Sequence, residues 1–413
     1  MSTTPESKTQ STTNASATTR GATFAASMGA MFLMATSAIG PGFISQTTVF
    51  TVQMGAAFAF AIIVSILVDI AIQLNVWRVL GVSGMRANEL GNTVLPGLGW
   101  LMAAFVFIGG MVFNIGNIGG AGLGMNAMLG LDPRIGGAIS AGIAILIFAS
   151  KKAGLALDRI VVLLGAIMIL LMIYVAVVSA PPVGEALKNT VAPDNVEFIV
   201  ITTLIGGTVG GYITFAGAHR IIDSGLTGAE HVKDITRVSV LGIVVTGIMR
   251  VLLFLAILGV VASGVALAGD NMAADAFKAA AGEIGLRFFG VVFWAAGLTS
   301  VIGASYTSIS FITTQKVKPR IRSLMTMGFI VVCGILYVVL NQAPQQLLIF
   351  AGAFNGLILP VGFAVVLWVA WRRRDLLQGY KYPVWLLAVG VITWVLTIYL
   401  GYNSIAGLAD LWG

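Results

Sequence analysis

No charged residue occurs between Arg20 and Asp69, and that stretch is mostly apolar. A helix crosses a bilayer in about 20 apolar residues, so a run this long holds two spans rather than one. Long apolar runs separated by short polar segments recur to the end of the chain. They predict eleven spans, at residues 24–52, 56–79, 97–128, 135–150, 157–180, 197–222, 237–262, 285–314, 323–341, 346–371 and 383–402.

Two of these runs contain helix breakers. In the first, Gly40-Pro41-Gly42-Phe43 removes one backbone donor at Pro41 and supplies two permissive glycines, and Ser45, Gln46, Thr47 and Thr48 follow. The expected break lies near 40–48. In the sixth, Gly206, Gly207, Gly210 and Gly211 stand beside Thr208 and Tyr212 and make a poor continuous helix. Unwound backbone persists in a bilayer only where protein buries it or where it lines a wet cavity. The breaks come five spans apart. A repeated unit of five spans must insert in opposite orientations, so the pair points to an inverted-repeat transporter with its site at the midplane. For either break alone, glycine-mediated helix packing is an equal reading.

Composition narrows the class. Hydrophobic residues make up 58% of the chain and charged residues 9%, with mean hydropathy +0.98. Soluble domains carry about a quarter charged residues, so the expectation is an all-α, multi-pass membrane protein. A net charge of +7 raises the question of nucleic acid. Of the 23 Lys and Arg, however, all but Arg134, Lys188, Arg250, Lys278 and Arg287 fall on one side of the predicted spans. That is a topology signal: inner membrane, N-terminus cytoplasmic, C-terminus extracytoplasmic, with the bilayer and a small solute as partners and no nucleic acid. The expected organisation is a disordered cytoplasmic tail at 1–20, a first five-helix repeat at 21–180 and an extracytoplasmic loop at 181–196. A second, inverted repeat at 197–372 and an eleventh helix with its tail at 373–413 complete it. The one cysteine, Cys333, excludes an internal disulfide. No His-Glu-x-x-His motif or paired intramembrane aspartates occur, so no catalytic residue and no cofactor is expected.

Several stretches resemble the Nramp family of proton-coupled divalent-metal transporters, which share the inverted-repeat fold of LeuT-like transporters. Gly40-Pro41-Gly42-Phe43 is similar to that family's opening motif, and Gln53-Met54-Gly55-Ala56 to its closing Gln-Ala-Gly-Ala. Gly124-Met125-Asn126-Ala127-Met128-Leu129-Gly130 is similar to its Gly-x-Asn-Leu-Leu-Phe-Gly, and Asn355-Gly356-Leu357-Ile358-Leu359-Pro360 matches a pattern in relatives. The resemblance implies a 5+5 inverted repeat, plus one helix, with helices one and six broken. The family's Asp-Pro-Gly-Asn metal motif is absent. Its Met-Pro-His falls on Gly210, Gly211 and Tyr212, and its acidic pair in span three falls on Asn114 and Asn117. Divalent metals need carboxylate, imidazole or thioether ligands, so no metal ligand is carried over.

The expected substrate-binding set is Ser45, Gln46, Thr47, Thr48, Asn117, Thr208, Gly210, Gly211, Tyr212 and Asn355. The expected coupling or permeation path is Asp69, Asn114, His219, Arg220 and Arg250. Arg220 reads equally as a topology flank paired with Asp223 and His231, and Asp69 and Arg250 equally as a structural pair. Half-helix N-termini carry partial positive charge, so a cavity stripped of acids suits an anionic or zwitterionic solute. The expected function is secondary transport of a small carboxylate-bearing solute coupled to H⁺ or Na⁺. Divergent Nramp-like chains of this kind resemble a bacterial group whose genes accompany 5-oxoproline breakdown, which makes 5-oxoproline the candidate. The alternative is a divalent cation, Mn²⁺ or hydrated Mg²⁺.

Overall fold

The computed structural model describes residues 28–29, 31, 34–35, 38–149, 151–211, 213–313 and 317–412, without the side chains of 151–162, 164 and 406–412. The expected tail at 1–20 lies outside the described residues. Everything regular among the described residues is helical.

After helical positions at 28–29, 31, 34–35 and 38, the chain forms α1 (Pro41–Met54), α2 (Phe58–Ser83), α3 (Ala87–Val94) and α4 (Leu98–Leu129). Then come α5 (Pro133–Ala149), α6 (Lys151–Ser179), α7 (Val183–Asn189), α8 (Phe198–Thr208) and α9 (Ile213–Asp223). The remainder is α10 (Val232–Ala262), α11 (Met272–Ile312), α12 (Pro319–Leu340), α13 (Pro344–Arg372) and α14 (Val384–Trp412). Among the described residues, eight helical runs are long and apolar enough to cross a membrane, or nine if the pair bent by 107° at 165–189 is one span. This falls short of the expected eleven. Pro41–Ser83 counts as one run although Gly55 (φ 55°, ψ −134°) ends α1, and the residues before Ala38 are only partly described. The two short helices α3 and α7 were not expected.

Glycine decides how the bundle closes. Gly297 on α11 brings that helix so near α4 that an added methyl would sit 2.8 Å from Ala121, and Gly124 and Gly290 make similar crossings. Close backbone approach of this kind is what small residues provide in a bilayer. Gly119 and Gly120 on the same helix admit Tyr337 and the ring of Pro41. The glycines of α4 thus form a close-packing stripe, which seats the start of α1 against that helix. Elsewhere Trp77 of α2, fully buried, donates through Nε1 to the Thr214 carbonyl at 2.8 Å and so pins the beginning of α9.

Candidate functional site: two helix breaks and a ring of buried polar groups

The first break is narrower than the composition suggests. The chain bends at Ile39 and Gly40, Gly40 adopts extended backbone (φ −100°, ψ −171°), and α1 begins at Pro41. Ser45, Gln46, Thr47 and Thr48 therefore lie inside a regular helix and not in unwound chain, which corrects the expected extent of the break. The reason is local. Thr47 Oγ1 donates to the Phe43 carbonyl (2.7 Å) and Thr48 Oγ1 to that of Ile44 (2.9 Å), so these hydroxyls bond back to their own helix. Gln46 leaves α1 instead: its Nε2 donates to the Leu348 carbonyl of α13 at 3.1 Å, and its buried Oε1 has no partner.

What faces the opened end of α1 is a pair of buried polar side chains. The first intrahelical bond is from Ile44 N to the Gly40 carbonyl, which leaves the N–H groups of Gly42 and Phe43 without helical acceptors. A methyl on Gly40 would approach Ser300 Oγ to 2.5 Å and Asn117 Oδ1 to 3.8 Å, so both side chains look at the break. Ser300 Oγ and Asn117 Nδ2 are buried and lack any partner. Ser300 was not among the expected residues. Its signal was its place on the α11 stripe begun by Gly290 and Gly297, at helical spacing, which is the face that meets α4. Asn114, three residues before Asn117, serves differently, donating through Nδ2 to Ser305 Oγ at 3.0 Å and joining α4 to α11.

The second break is where expected. Helix α8 stops at Thr208, Val209 takes φ −124° and ψ −3°, Gly211 is left-handed (φ 53°), and α9 starts at Ile213. Tyr212 lies outside the described residues. Asn355 of α13 closes the gap. Its Nδ2 donates to the carbonyls of Ala351 (2.8 Å) and Gly109 (3.2 Å), and its unpartnered Oδ1 rests against Gly211. Gly210 packs on the backbone of Gly206, one turn earlier.

Asp69 and Arg250 join the two breaks from the side. Both are about 2% exposed or less. They line, with Phe43, Ser65, Ile66, Thr208, Thr246 and Gly247, a cavity of about 10 Å³, room for about one water molecule. The Arg250 guanidinium carbon lies 4.5 Å from the centre of the Phe43 ring, in the first turn of α1. Neither Nη atom of Arg250 nor Oδ1 of Asp69 has a hydrogen-bond partner.

At the end of the bundle reached by α9, His219 accepts from the Ala87 N–H (3.3 Å) and stacks near Phe311, with ring centres 4.7 Å apart. Arg220, its neighbour, is exposed. The expected pairing of Arg220 with Asp223 does not occur; Arg86, at the start of α3, takes Asp223 instead at 2.7 Å. A second, larger cavity of about 290 Å³ opens at the far end of α1, between Phe50, Gln53, Met54, Asn195, Glu197, Ile199 and Val200. Among the described residues no three His, Cys, Asp or Glu side chains come together.

Comparison with known proteins gives this geometry a context. The chain is 48% identical to the uncharacterized membrane protein YcsG of Bacillus subtilis (strain 168), over 93% of its own length and 95% of the relative's. It is 49% identical to an uncharacterized membrane protein of Haemophilus influenzae, over 88% and 91%. Among solved structures, the Eremococcus coleocola manganese transporter shares the fold at a TM-score of 0.70 and 17% identity, covering 98% of this chain and 89% of the other. MhsT in complex with L-phenylalanine does so at 0.67 and 18%, covering 92% and 98%. The fold is thus the LeuT-like inverted repeat. Residues 31–407 match the family described as natural resistance-associated macrophage protein-like, and the chain belongs to that family, Nramp, whose members are transporters and not enzymes.

Proposed function

We propose that this protein is a secondary transporter of a small carboxylate-bearing organic solute, with 5-oxoproline as the candidate, coupled to H⁺ or Na⁺ across the inner membrane. One observation carries the reading. At the opened N-terminus of α1 stand the buried Ser300 Oγ, without a partner, and Asn117, whose Oδ1 is the nearer atom and whose Nδ2 also lacks a partner. Unsatisfied buried donors cost free energy, and an anionic acceptor relieves it; hydrogen bonds to a charged group contribute about 1.5–3 kcal/mol each. The helix terminus adds its partial positive charge. The lactam of 5-oxoproline supplies one further donor and one acceptor, for which Asn355 Oδ1 and Thr214 Oγ1, both unpartnered, are available at the second break. In this reading residues 21–180 and 197–372 are the two repeats, and the N-terminus lies in the cytoplasm by its Lys and Arg distribution.

The test is uptake of labelled 5-oxoproline by proteoliposomes. Asn117→Ala and Ser300→Ala should each raise KM roughly tenfold, the equivalent of about 1.4 kcal/mol, with little change in maximal rate. Flat uptake across a panel of small organic acids overturns the proposal. The manganese named for the structural relative suggests the rival cargo, which Asn355 Oδ1 would favour as a neutral oxygen ligand. Saturable Mn²⁺ uptake, with no response to organic acids, would establish that rival.

A further inference from the structure

Arg250 and Asp69 are charges of opposite sign, both buried at membrane depth, and their unpartnered atoms face one small cavity. A pair held only for structure closes into direct hydrogen bonds, because breaking or opening a buried pair costs several kcal/mol. Here the guanidinium keeps both Nη groups free and lies instead on the ring of Phe43. Helix side chains lean toward the helix N-terminus, so that ring carries Arg250 toward the opened end of α1. The other groups around the cavity are neutral. Ser65 and Thr246 donate their hydroxyl protons to the carbonyls of Ile62 and Ile243 of their own helices, and the Thr208 hydroxyl, bonded to the Leu204 carbonyl, also stands within hydrogen-bond reach of Asp69. Phe43, Ile66 and Gly247 complete the lining, leaving Arg250 as the charged group that acts on Asp69.

We infer that Arg250 is the counter-charge for the solute's carboxylate and that Asp69 must take up a proton for Arg250 to serve it. The inference rests on the carboxylate reading above and deepens it by naming the coupling ion. With Asp69 ionised the pair is neutral, and adding a carboxylate would leave one uncompensated negative charge inside the bilayer. A proton on Asp69 removes that excess. The exchange balances: an ionised Asp69 beside cationic Arg250, one carboxylate and one proton give a neutral Asp69 carboxylic acid and an Arg250–carboxylate pair. Each anion enters with one proton, and the step is electroneutral. A Na⁺ ion in the same cavity would stand beside the guanidinium, whose like charge repels it, so the geometry selects H⁺.

Labelled 5-oxoproline is the probe, in two measurements on the full chain. In detergent, binding to the wild type should weaken about tenfold per pH unit once Asp69 is ionised in the free protein, since one proton is linked to each ligand. Asp69→Asn, which mimics the neutral acid, should bind with no such slope, and Arg250→Gln should lose at least tenfold in affinity at every pH. In proteoliposomes a pH gradient, and not a Na⁺ gradient or a membrane potential, should drive accumulation by the wild type. Asp69→Asn should equilibrate the solute without concentrating it. Asp69→Glu, which keeps a titrating group, should restore the slope if the amide variant proves unstable. Wild-type uptake that follows Na⁺, or an Asp69→Asn protein still driven by the pH gradient, overturns this inference and leaves the carboxylate reading standing. A wild type that binds none of the acids overturns both.

Discussion

Arg86 Nη2 lies 2.7 Å from Asp223 Oδ1, and this one ion pair ties the start of α3 to the last residue of α9. Arg86 is nearly buried, with Nε and Nη1 already lacking partners. Asp223→Ala would leave the whole guanidinium unpaired. The expected loss is about 2 kcal/mol, less than the 3–5 of a fully buried pair because Asp223 is partly exposed. A thermal melt in detergent should fall by a few degrees. Arg220→Ala, on the exposed neighbour, should stay within about 0.5 kcal/mol of the wild type.

Gln46 fills a slot between two glycines. A methyl at Gly207 would come within 2.5 Å of Gln46 Oε1 and would meet no other group nearer. A methyl at Gly352 would strike Gln46 Nε2 and also lie 2.8 Å from the Thr203 carbonyl. Overpacking costs about 1–3 kcal/mol, so each Gly→Ala change should lower the melting temperature. Adding Gln46→Ala should recover most of the loss at Gly207 and little at Gly352, where the obstacle is backbone. Equal recovery at both would contradict this packing.

Gly211 holds the second break open. Its φ of 53° is a left-handed conformation, and the space a Cβ would need is taken by Asn355 Oδ1. Left-handed backbone costs a residue with a Cβ about 1–2 kcal/mol before any clash is counted. Gly211→Ala should reduce both thermal stability and solute uptake. Gly211→Ala combined with Asn355→Ala relieves the clash but not the backbone cost, so only part of the stability should return.

Outside the spans, Asp194 is latched to the end of α7. Asn189 Nδ2 donates to Asp194 Oδ2 at 3.1 Å, and the Asp194 N–H donates back to Asn189 Oδ1 at 2.8 Å. The hydrogen bond from Asn189, followed by the contact with Lys188, holds the Asp194 carboxyl below the usual carboxylate range. A depressed folded-state pKa means the latch is fully present above the unfolded value, about pH 4, and is lost as pH falls through the lower folded value. Hydrogen exchange corrected for intrinsic rates should show residues 190–197 protected from pH 8 down to about 5 and loosening only in strong acid. Asn189→Ala should loosen them already at neutral pH.

The amino-acid sequence alone determined that this chain lives in a membrane and that two of its runs carry helix breakers, and the five-span distance between those runs favoured a matched pair of breaks. Each of these follows from local chemistry: hydropathy over some 20 residues, a proline without a donor, glycines where a helix wants side chains. What the sequence did not decide is which polar atoms remain free. Ser45, Thr47 and Thr48 look like ligands in a list of residues, yet the two threonines spend their protons on their own helix. Ser300 looks like one more serine in an apolar run, yet it stands against Gly40, 260 positions away in the chain. Asp223 has a basic neighbour in sequence and chooses Arg86 instead. A polar atom is satisfied or left over according to which faces of distant helices meet, and only the packed bundle settles that.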